Sequence, residues 1–480
     1  MRTPFLIAVL AVVLGCPASE IVVTIDDAAP RHVVPEAYHG SNFVALWNDT
    51  GASPGTRAAT ARLGIDLLRF PGGVPCQWYD WQKPLETGWT VITPEIAWSL
   101  ADAAGASMIF QTNCAGNEFE ASAGKARFDS SGAHMAAWVA AAKAAGVRVA
   151  WWEIGNEPEL DAPAAYKASL DAIYAWYNAV YAEQARAIKA ADPQARVLGP
   201  AATNTWFWWH EKTLEKFLAA HGDKAGTGLA DGISLHWYPE GGEGTWAEKR
   251  GTAQGWAACH DYIRAVIDAH SSTPLPLYVT EWNWGGGDKN ASMTTLGCGL
   301  GNADVVGMFL RTGVAGHAHF CLQRVDHGWG VLAMQGEALA ENSASPSYFA
   351  LSIAARMGSR VFATAHGADE ANVMSAYATG DAAGGRQVML INKSEGALDI
   401  DIAFSRFAAS GRTARIFTLV GANGSPEDVD VVYNGARGVT PAQADLPGPE
   451  IATIAQSLRR RLPPYSLTLI DIAGDAAKDR

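Results

Sequence analysis

Short apolar runs alternate with longer amphipathic segments along most of this chain. Eight such runs lie between residues 36 and 358: AYHGSNFVAL, IDLLRFPGG, ASMIFQTNC, RVAWWEIGNE, ARVLGPAA, GISLHWYP, PLYVTEWNW and GHAHFCLQ. The segments between them, such as GAHMAAWVAAAKAAG and YAWYNAVYAEQARAIKAAD, are rich in Ala and place apolar residues at helical spacing. Eight strand–helix repeats predict an α/β fold, a closed (β/α)8 TIM barrel over residues 34–358. A doubly wound open sheet is the alternative, but no G-x-G-x-x-G motif follows the first strand.

The pattern changes after Met357. Short alternating runs follow one another, separated by Gly, Asp, Asn and Ser: ANVMSAYAT, RQVMLINKS, LDIDIAF, TARIFTLV, DVVYNG and YSLTLIDIAG. This spacing predicts a C-terminal all-β sandwich domain over residues 359–475. The early run EIVVTID precedes the barrel, so residues 20–33 are predicted to pair into the same sandwich.

Residues 1–19 have the pattern of an export signal. A basic start at Arg2 is followed by an apolar run from Phe5 to Leu14 and then by small residues, a run too short for a permanent membrane span. The sequence VLGC resembles a bacterial lipoprotein cleavage box, so a lipid anchor at Cys16 is an alternative to simple release. We therefore expect a secreted or periplasmic protein or a cell-surface lipoprotein, without a transmembrane span.

Net charge and composition limit the kinds of molecule that the protein is expected to bind. The formal net charge of −13 disfavours nucleic acid or an anionic membrane surface as a partner, because both attract basic faces. A hydrophobic content of 49% with 18% charged residues is typical of a globular protein. The 18 Trp residues indicate either a large aromatic core or a platform for a flat ligand.

Cysteine and histidine positions give little indication of a metal. No two cysteines have C-x-x-C spacing, so a zinc or redox motif is not expected. Cys76 and Cys114 follow the second and third strands, which are neighbours in the ring, so a disulfide between them is one of two open alternatives. His317 and His319 share one face of the eighth strand, where core hydrogen bonding is favoured over metal binding. No metal and no cofactor are expected.

Two glutamates lie at the ends of predicted barrel strands, where the chemistry of such barrels is located. The fourth run ends at Glu157 in WWEIGNEPEL, and the seventh at Glu281 in YVTEWNW. The seventh strand is three positions round the ring of eight from the fourth, so the two glutamates should lie nearly across the mouth from each other. Two facing carboxylates are what cleavage of a glycosidic bond requires. The alternative is a pair of surface glutamates at loop starts.

Other strand ends carry groups that suit the same site. Arg69 closes the second run, where it can hold a neighbouring carboxylate ionised or form a structural salt bridge with Glu153. Asn156 is placed to bind a sugar hydroxyl, provided that the strand stops there. Pro158 favours that stop, because it has no N–H for the ladder.

The sixth run ends with His236 and Tyr238. Tyr238 is predicted to hydrogen-bond Glu281, and His236 is either a site residue or a satisfied core histidine. Trp78, Trp206 and Trp282 fall near loop starts and are candidate platforms for sugar rings. The alternative for these tryptophans is packing between the barrel and its helices.

Together these residues resemble clan A of the glycoside hydrolases. The motifs that carry the resemblance are Arg69, Asn156-Glu157-Pro158, His236-x-Tyr238 and Glu281. The resemblance implies a (β/α)8 barrel and a retaining mechanism, with Glu157 as acid/base and Glu281 as nucleophile. Their carboxyl groups should then lie about 5–5.5 Å apart. The C-terminal LPPYSLTLIDI resembles the last strand of the β-sandwich appended to families 51, 39 and 30.

Within the clan the motifs are mixed. RFPGG, YDW and EWN are similar to family 51, the α-L-arabinofuranosidases and some endoglucanases. GNEPEL looks more like family 39, the β-xylosidases, or family 79, the β-glucuronidases. The resemblance therefore implies a carbohydrate substrate and most of all an α-L-arabinofuranosidase or β-xylosidase, with an endo-β-glucanase or β-glucuronidase as the alternative. A non-catalytic carbohydrate-binding protein is the rival class, but such proteins tend to lose one of the two carboxylates.

Overall fold

The computed structural model describes residues 20–45, 53–85, 92–116, 128–203, 210–241, 244–287, 289–442, 446–455 and 457–474. The predicted export signal at residues 1–19, with Cys16, lies outside these residues, and so does Trp206. Within the described ranges, no helix combines the length and the apolar character needed to cross a membrane.

Eight parallel strands close into a barrel. They are β3 (His39–Asn42), β4 (Leu67–Phe70), β5 (Ser107–Thr112), β6 (Val149–Ile154), β7 (Val197–Ala202), β8 (Gly232–Trp237), β10 (Leu277–Trp282) and β12 (Gly316–His319). They pair in chain order around the ring, and β12 returns to β3. Each strand falls inside one of the eight apolar runs, so the predicted TIM barrel is confirmed. A two-stranded sheet of β9 (Glu240–Gly241) and β11 (Gly285–Gly286) lies in the connections.

Helices follow the strands and cover the outside of the ring. They are α1 (Pro54–Leu63), α2 (Pro94–Ala104), α3 (Gly132–Ala144), α4 (Pro158–Asp161), α5 (Leu170–Ala191), α6 (His210–His221), α7 (Trp246–Lys249), α8 (Trp256–His270), α9 (Leu296–Thr312) and α10 (Pro346–Ala354). Several start at a Ser or Thr whose side chain accepts a backbone N–H of the first turn, as in Ser53, Ser131 and Ser169. Such caps each stabilise a helix by about 1 kcal/mol.

The barrel interior consists of an apolar layer below a polar one. Leu67, Ile109 and Trp151 pack with Leu198 and Tyr278 inside the ring. Two residues further along the same three strands come Arg69, Gln111 and Glu153, all buried. Because alternate strand residues point to the same face, these polar side chains also enter the barrel, closer to the carboxyl ends of the strands. The site is therefore built on a packed apolar floor.

The remaining strands form the second, largely antiparallel domain. They are β1 (Ile21–Asp26), β2 (His32–Val33), β13 (Arg360–Ala365), β14 (Met374–Gly380), β15 (Arg386–Asn392), β16 (Leu398–Phe404), β17 (Thr413–Gly421), β18 (Val431–Tyr433), β19 (Ala436–Arg437), β20 (Glu450–Thr453), β21 (Leu458–Leu462) and β22 (Ser466–Ile472). Strand β1 pairs with β13 and, in parallel, with β16. The N-terminal strand therefore belongs to this domain, whose layers enclose a separate apolar core.

Helices α9 and α10 join the barrel to the second domain. Apolar residues of α9, such as Val306 and Phe309, share one core with Met389 and Leu467 of the β-domain. Within this contact Lys393 forms an ion pair of 2.6 Å with Asp304, and both side chains are buried. An ion pair that is buried on both sides needs both partners in place, because either charge alone would be uncompensated.

The open alternative of a disulfide between Cys76 and Cys114 is not realised. Both cysteines are buried and free, so the disulfide alternative is wrong. The Gln77 side chain lies against Cys114, donating to its Sγ at 3.3 Å and accepting from its backbone N at 3.2 Å.

His317 and His319 make core hydrogen bonds. The Nδ1 of His317 accepts the Trp282 indole N–H at 3.1 Å, and its Nε2 faces His39 Nδ1 at 3.2 Å. Nε2 of His319 faces the Asn302 amide at 3.4 Å. Burial lowers the pKa of His317 well below its ordinary value and that of His319 to about 3, so both rings are neutral parts of the core.

Candidate active site

Glu157 enters the site because the chain turns sharply after β6. The strand ends at Ile154, and Gly155 has a φ of 77°. Glu157 itself has a φ of 35°, a left-handed conformation that is unfavourable for a residue with a side chain. Pro158 then opens the short helix α4. The strand ends at Ile154, two residues before the predicted stop at Asn156, and the turn that follows carries Asn156 and Glu157 over the barrel mouth.

Glu281 reaches the same mouth from β10. Its Cα pairs with His236 of β8, and the pairing register shifts between Val279 and Glu281. Such irregularities bend a strand and re-aim the side chains beside them. Glu281 is mostly buried, with 10% of its side chain exposed, against 16% for Glu157.

Arg69 lies at the centre of the polar layer and is fully buried. Its Nε donates to Glu153 Oε2 at 2.6 Å, and its Nη1 donates to Glu281 Oε2 at 3.1 Å. Nη1 also donates to the Asn42 side chain at 2.8 Å, and Nη2 to Asn156 Oδ1 at 3.1 Å. The two roles considered for Arg69, a salt bridge to Glu153 and support of a mouth carboxylate, therefore coexist.

The Glu281 carboxylate is held on both oxygens. Oε1 accepts the Tyr238 hydroxyl at 2.8 Å, and Oε2 accepts Arg69. With one oxygen bound to a phenol and the other to a guanidinium, the carboxylate has a fixed orientation. The predicted contact between Tyr238 and Glu281 is present.

His236 connects the two glutamates. Its Nε2 faces Arg69 Nη2 at 3.2 Å, and because a guanidinium can only donate, this nitrogen is the acceptor. The ring proton therefore sits on Nδ1, which donates to Glu157 Oε1 at 2.9 Å. Burial lowers the pKa of His236 to about 4, so the imidazole is neutral near pH 7.

Glu157 has the environment of a proton donor. Burial raises its pKa to about 7, although a hydrogen bond from the Thr203 side chain and the charge of Arg69 act in the opposite direction. A carboxyl group with such a pKa is half protonated near neutral pH and can both give and take a proton.

Asn156 is oriented by three partners. Its Oδ1 accepts from Arg69 and from the Gln111 amide, the latter at 3.3 Å. Its Nδ2 donates to Asp161 Oδ2 at 3.0 Å. An amide nitrogen has two N–H groups, and the described residues supply an acceptor for one of them.

The two carboxylates face each other at short range. Ligand atoms of Glu157, His236 and Glu281 lie within 4.8 Å of one another, so the two carboxylate oxygens are no further apart than this. The spacing also suits a metal ion, but the residues do not fit one. The His236 nitrogen nearest the carboxylates carries a proton, and the Arg69 cation lies against Glu281. The arrangement is that of a paired acid and carboxylate.

Comparison with known proteins agrees with this chemistry. The model of the family described as glycosyl hydrolases family 39 matches residues 144–294, which include Glu157, His236 and Glu281. Among curated proteins no sequence relative is found. The protein is a glycoside hydrolase. Its resemblance to clan A, and to families 39 and 51 within it, agrees with the motifs in its sequence.

Solved structures share the fold of the hydrolase. An α-L-arabinofuranosidase from Thermotoga maritima has a TM-score of 0.68 at 15% identity, covering 95% of this chain and 100% of that one. CelM2, a bifunctional glucanase-xylanase from a metagenome library, has a TM-score of 0.66 at 16% identity over 95% and 99%. A family 44 xyloglucanase from Paenibacillus polymyxa has a TM-score of 0.64 at 13% identity over 95% and 99%. At these identities the likeness establishes the barrel with its appended sheet domain.

One predicted sugar platform of the hydrolase is wrong. Trp282 follows Glu281 on β10, so it points away from the barrel interior and is fully buried. Its ring packs against Phe309 at 5.3 Å and His319 at 5.2 Å between centroids. Trp282 therefore packs between the strands and helix α9, which is the alternative considered above. Trp78 is partly exposed at the end of a 3-10 turn (Val74–Trp78) in the connection after β4, at the carboxyl end of the barrel strands.

Two aromatic residues beside the site were not predicted. Phe320 follows β12, and Trp329 lies in the connection after it; both are partly exposed. The Trp329 ring centroid is 5.7 Å from that of Tyr238 and 5.5 Å from that of Phe320. A Cβ built on Gly73 would lie 3.2 Å from the Phe320 ring and 3.4 Å from Glu281 Oε2. An aromatic wall thus adjoins the Glu281 carboxylate.

Three polar residues that support Glu157 and Asn156 were also missed. Gln111 is the next-to-last residue of β5, as Arg69 is of β4, so the strand-end rule used for Arg69 would have found it. Thr203 directly follows the last residue of β7, so the same rule would have found it. Asp161 has no comparable signal, because it lies in helix α4 and the preceding turn that brings it in is set by tertiary structure. Burial raises the pKa of Asp161 well above its ordinary value, and the Glu157 charge adds to this.

The two classes of aromatic residue predict different mutant behaviour. Trp329→Ala should raise KM roughly tenfold, because a sugar ring loses a stacking surface, and should leave stability little changed. Trp282→Phe should leave KM unchanged and lower the free energy of unfolding by about 2 kcal/mol, because His317 loses its donor and a void opens. Michaelis kinetics and urea unfolding of both variants test this. A raised KM in Trp282→Phe with normal stability would contradict the assignment.

Proposed function

We propose that the protein is a retaining glycoside hydrolase that works by double displacement. Glu157 is the general acid/base and Glu281 the nucleophile. The observation that carries the proposal is the spacing of at most 4.8 Å between ligand oxygens of the two glutamates. Retaining enzymes hold their carboxyl groups about 5–5.5 Å apart, whereas inverting ones need roughly 6.5–9.5 Å to admit a water.

In the first step Glu281 attacks the anomeric carbon while Glu157 protonates the departing oxygen. The bond to the leaving group breaks as the bond to Glu281 Oε forms, so a covalent glycosyl-enzyme results. The Tyr238 hydroxyl and Arg69 fix the attacking carboxylate, and His236 orients the carboxyl of Glu157. The pKa of about 7 for Glu157 suits proton donation near neutral pH.

In the second step Glu157, now a carboxylate, takes a proton from water. The hydroxide that forms attacks the anomeric carbon and displaces Glu281, which leaves as a free carboxylate. Two displacements on the same carbon restore its configuration. The second N–H of Asn156, which has no acceptor among the described residues, is assigned to a sugar hydroxyl in this proposal.

The substrates that we propose are α-L-arabinofuranosides or β-xylosides. Support comes from the motifs resembling families 51 and 39, from the family 39 match, and from structural neighbours described as arabinofuranosidases. Other neighbours are described as a glucanase-xylanase and a xyloglucanase. An endo-β-glucanase or a β-glucuronidase is therefore the alternative, to be separated by experiment.

A substrate panel with product stereochemistry tests the proposal. Nitrophenyl α-L-arabinofuranoside, β-xyloside, β-glucoside and β-glucuronide are incubated with the protein, followed by arabinan, xylan, xyloglucan and β-glucan. We expect hydrolysis of the arabinofuranoside or xyloside, with proton NMR showing the retained anomer before mutarotation. An inverted first product refutes double displacement. Binding without hydrolysis of any substrate would favour a carbohydrate-binding protein. Activity on a polysaccharide or glucuronide alone would contradict the proposed substrates and favour the alternative enzymes.

A further inference from the structure

Glu153 is a buried carboxylate to which the mechanism above gives no role. It lies on β6, two positions beyond Trp151 and on the same inward face, with no exposed surface. Its Oε2 accepts from Arg69 Nε at 2.6 Å. Its Oε1 is buried and has no hydrogen-bond partner among the residues that the structure describes. A buried carboxylate that is only half satisfied is costly.

Arg69 connects this carboxylate to Glu281. Its two terminal nitrogens contact Asn42, Asn156, His236 and Glu281, whereas Glu153 is the only described residue that Nε contacts. The position of Nε sets the plane of a guanidinium, because the five N–H groups form a rigid fork. The contact to Glu153 therefore decides where Nη1 points, and Nη1 is the atom that holds Glu281.

The charges of Arg69, Glu153 and Glu281 also link Glu153 to the two glutamates at the mouth. Burial disfavours the Arg69 cation, while Glu153 and Glu281 favour it, so that its pKa is raised overall. With Glu153 neutral, the full positive charge of Arg69 would act on the mouth carboxylates. Glu281 would be held more tightly in the ground state and Glu157 would meet a more positive potential.

Among the described residues, three other titratable side chains near Glu153 are neutral near pH 7. Burial raises the pKa of Tyr177 and of Cys76 well above their ordinary values, and it lowers that of His236 to about 4. On the neighbouring strands Gln111 and Leu198 pair with Glu153. The charge balance in this part of the barrel is therefore set by the Arg69 cation and the carboxylates that it contacts.

We propose that Glu153 is a positioning residue for the reaction: it aligns Arg69 on the nucleophile Glu281 and offsets part of the Arg69 charge. The inference rests on the proposed function of Glu281 and Glu157. Glu153 does not touch the substrate, since it lies below the mouth and is enclosed.

Glu153→Gln tests the proposal, because it keeps an oxygen for Arg69 Nε and removes only the charge. We expect kcat to fall roughly 10- to 100-fold, with KM little changed. We also expect Glu157 to titrate at lower pH, because the Arg69 charge is less offset. The titration is read from the side-chain carboxyl resonance of 13C-labelled glutamate, assigned with Glu157→Gln, and does not require activity.

A matched control is Asp304→Asn, which removes a buried carboxylate from the ion pair with Lys393, away from the site. It should lower the melting temperature while leaving kcat and the Glu157 titration unchanged. Glu153→Asp is the second variant: it keeps the charge but shortens the side chain. We expect it to restore the Glu157 titration while kcat remains reduced, which separates the charge from the alignment.

The outcomes are distinguishable. If Glu153→Gln loses stability as the control does, with kcat and the Glu157 titration unchanged, Glu153 is structural and the inference is wrong. If Glu153→Gln does not fold, a Glu153→Asp variant with wild-type kcat refutes the alignment role. If the wild type hydrolyses nothing in the panel, the proposed function fails, and the NMR titration still decides whether Glu153 sets the charge felt by Glu157.

Discussion

Glu281→Gly is expected to reduce hydrolysis of any active nitrophenyl glycoside by at least about 10⁴-fold, because no other described side chain is placed to attack the anomeric carbon. Glu281 is held on both oxygens, by Tyr238 and Arg69, so its removal leaves a cavity lined by donors. Azide should enter this cavity and restore turnover. The expected product is a glycosyl azide of inverted configuration, since only one displacement occurs, and NMR identifies it.

The control for this variant is Glu95→Ala, which removes an exposed glutamate from the start of α2. Its kinetic constants should match those of the wild type. Circular dichroism should show that Glu281→Gly is folded. If this folded variant kept activity within tenfold of the wild type, another group would be the nucleophile and the proposed mechanism would be wrong.

Glu157→Ala is expected to lower kcat/KM by roughly 10²- to 10⁴-fold for nitrophenyl glycosides and by much less for dinitrophenyl glycosides. The reason is that a dinitrophenolate leaves without protonation, so that only the second step still needs Glu157. The glycosyl-enzyme should then accumulate, and intact-protein mass spectrometry should show one added sugar residue. Azide should speed its breakdown and give an azide of retained configuration, opposite to that from Glu281→Gly.

The pH dependence of kcat/KM is an independent test of the role of Glu157. In the wild type kcat/KM should fall as pH rises through about 7, because burial places the pKa of Glu157 there and the acid form is the active one in the first step. This basic limb should disappear in Glu157→Ala with the dinitrophenyl substrate. A basic limb that persists unchanged in the variant would show that a different group donates the proton.

The barrel could be predicted from sequence because its signal is local and repeated. Each strand is a short apolar run followed by a helix with apolar residues at helical spacing, and eight such units close a ring. The second domain was predicted less completely. Strand β21, with the sequence LRRRL, escaped notice because three arginines interrupt it. They are tolerated since the strand lies at the sheet edge, where Arg459 and Arg461 pair with Asp401 and Asp399 of β16.

The carboxylates could be predicted for a similar reason, since strand ends are visible in the sequence and the fold brings them together. The surroundings of the tryptophans could not be predicted. Trp282 ends β10 and Trp329 lies in the connection after β12, yet Trp282 faces helix α9 and Trp329 lies beside Tyr238. Trp282 was misassigned because adjacency to Glu281 in sequence means opposite faces on a strand.

The sequence by itself determined the order of the elements, the closed barrel and the two glutamates at its mouth, because these depend on local periodicity and on which residues end each strand. Tertiary structure alone decided the chemistry of each glutamate. The turn at Gly155 and the irregular pairing of β10 aim both side chains at one point. Burial then raises the pKa of Glu157 to about 7, as the proposed acid/base role requires, while the contacts of Arg69 and Tyr238 hold the Glu281 carboxylate in place. Desolvation and hydrogen bonding depend on groups far apart in the chain, so no local pattern records them.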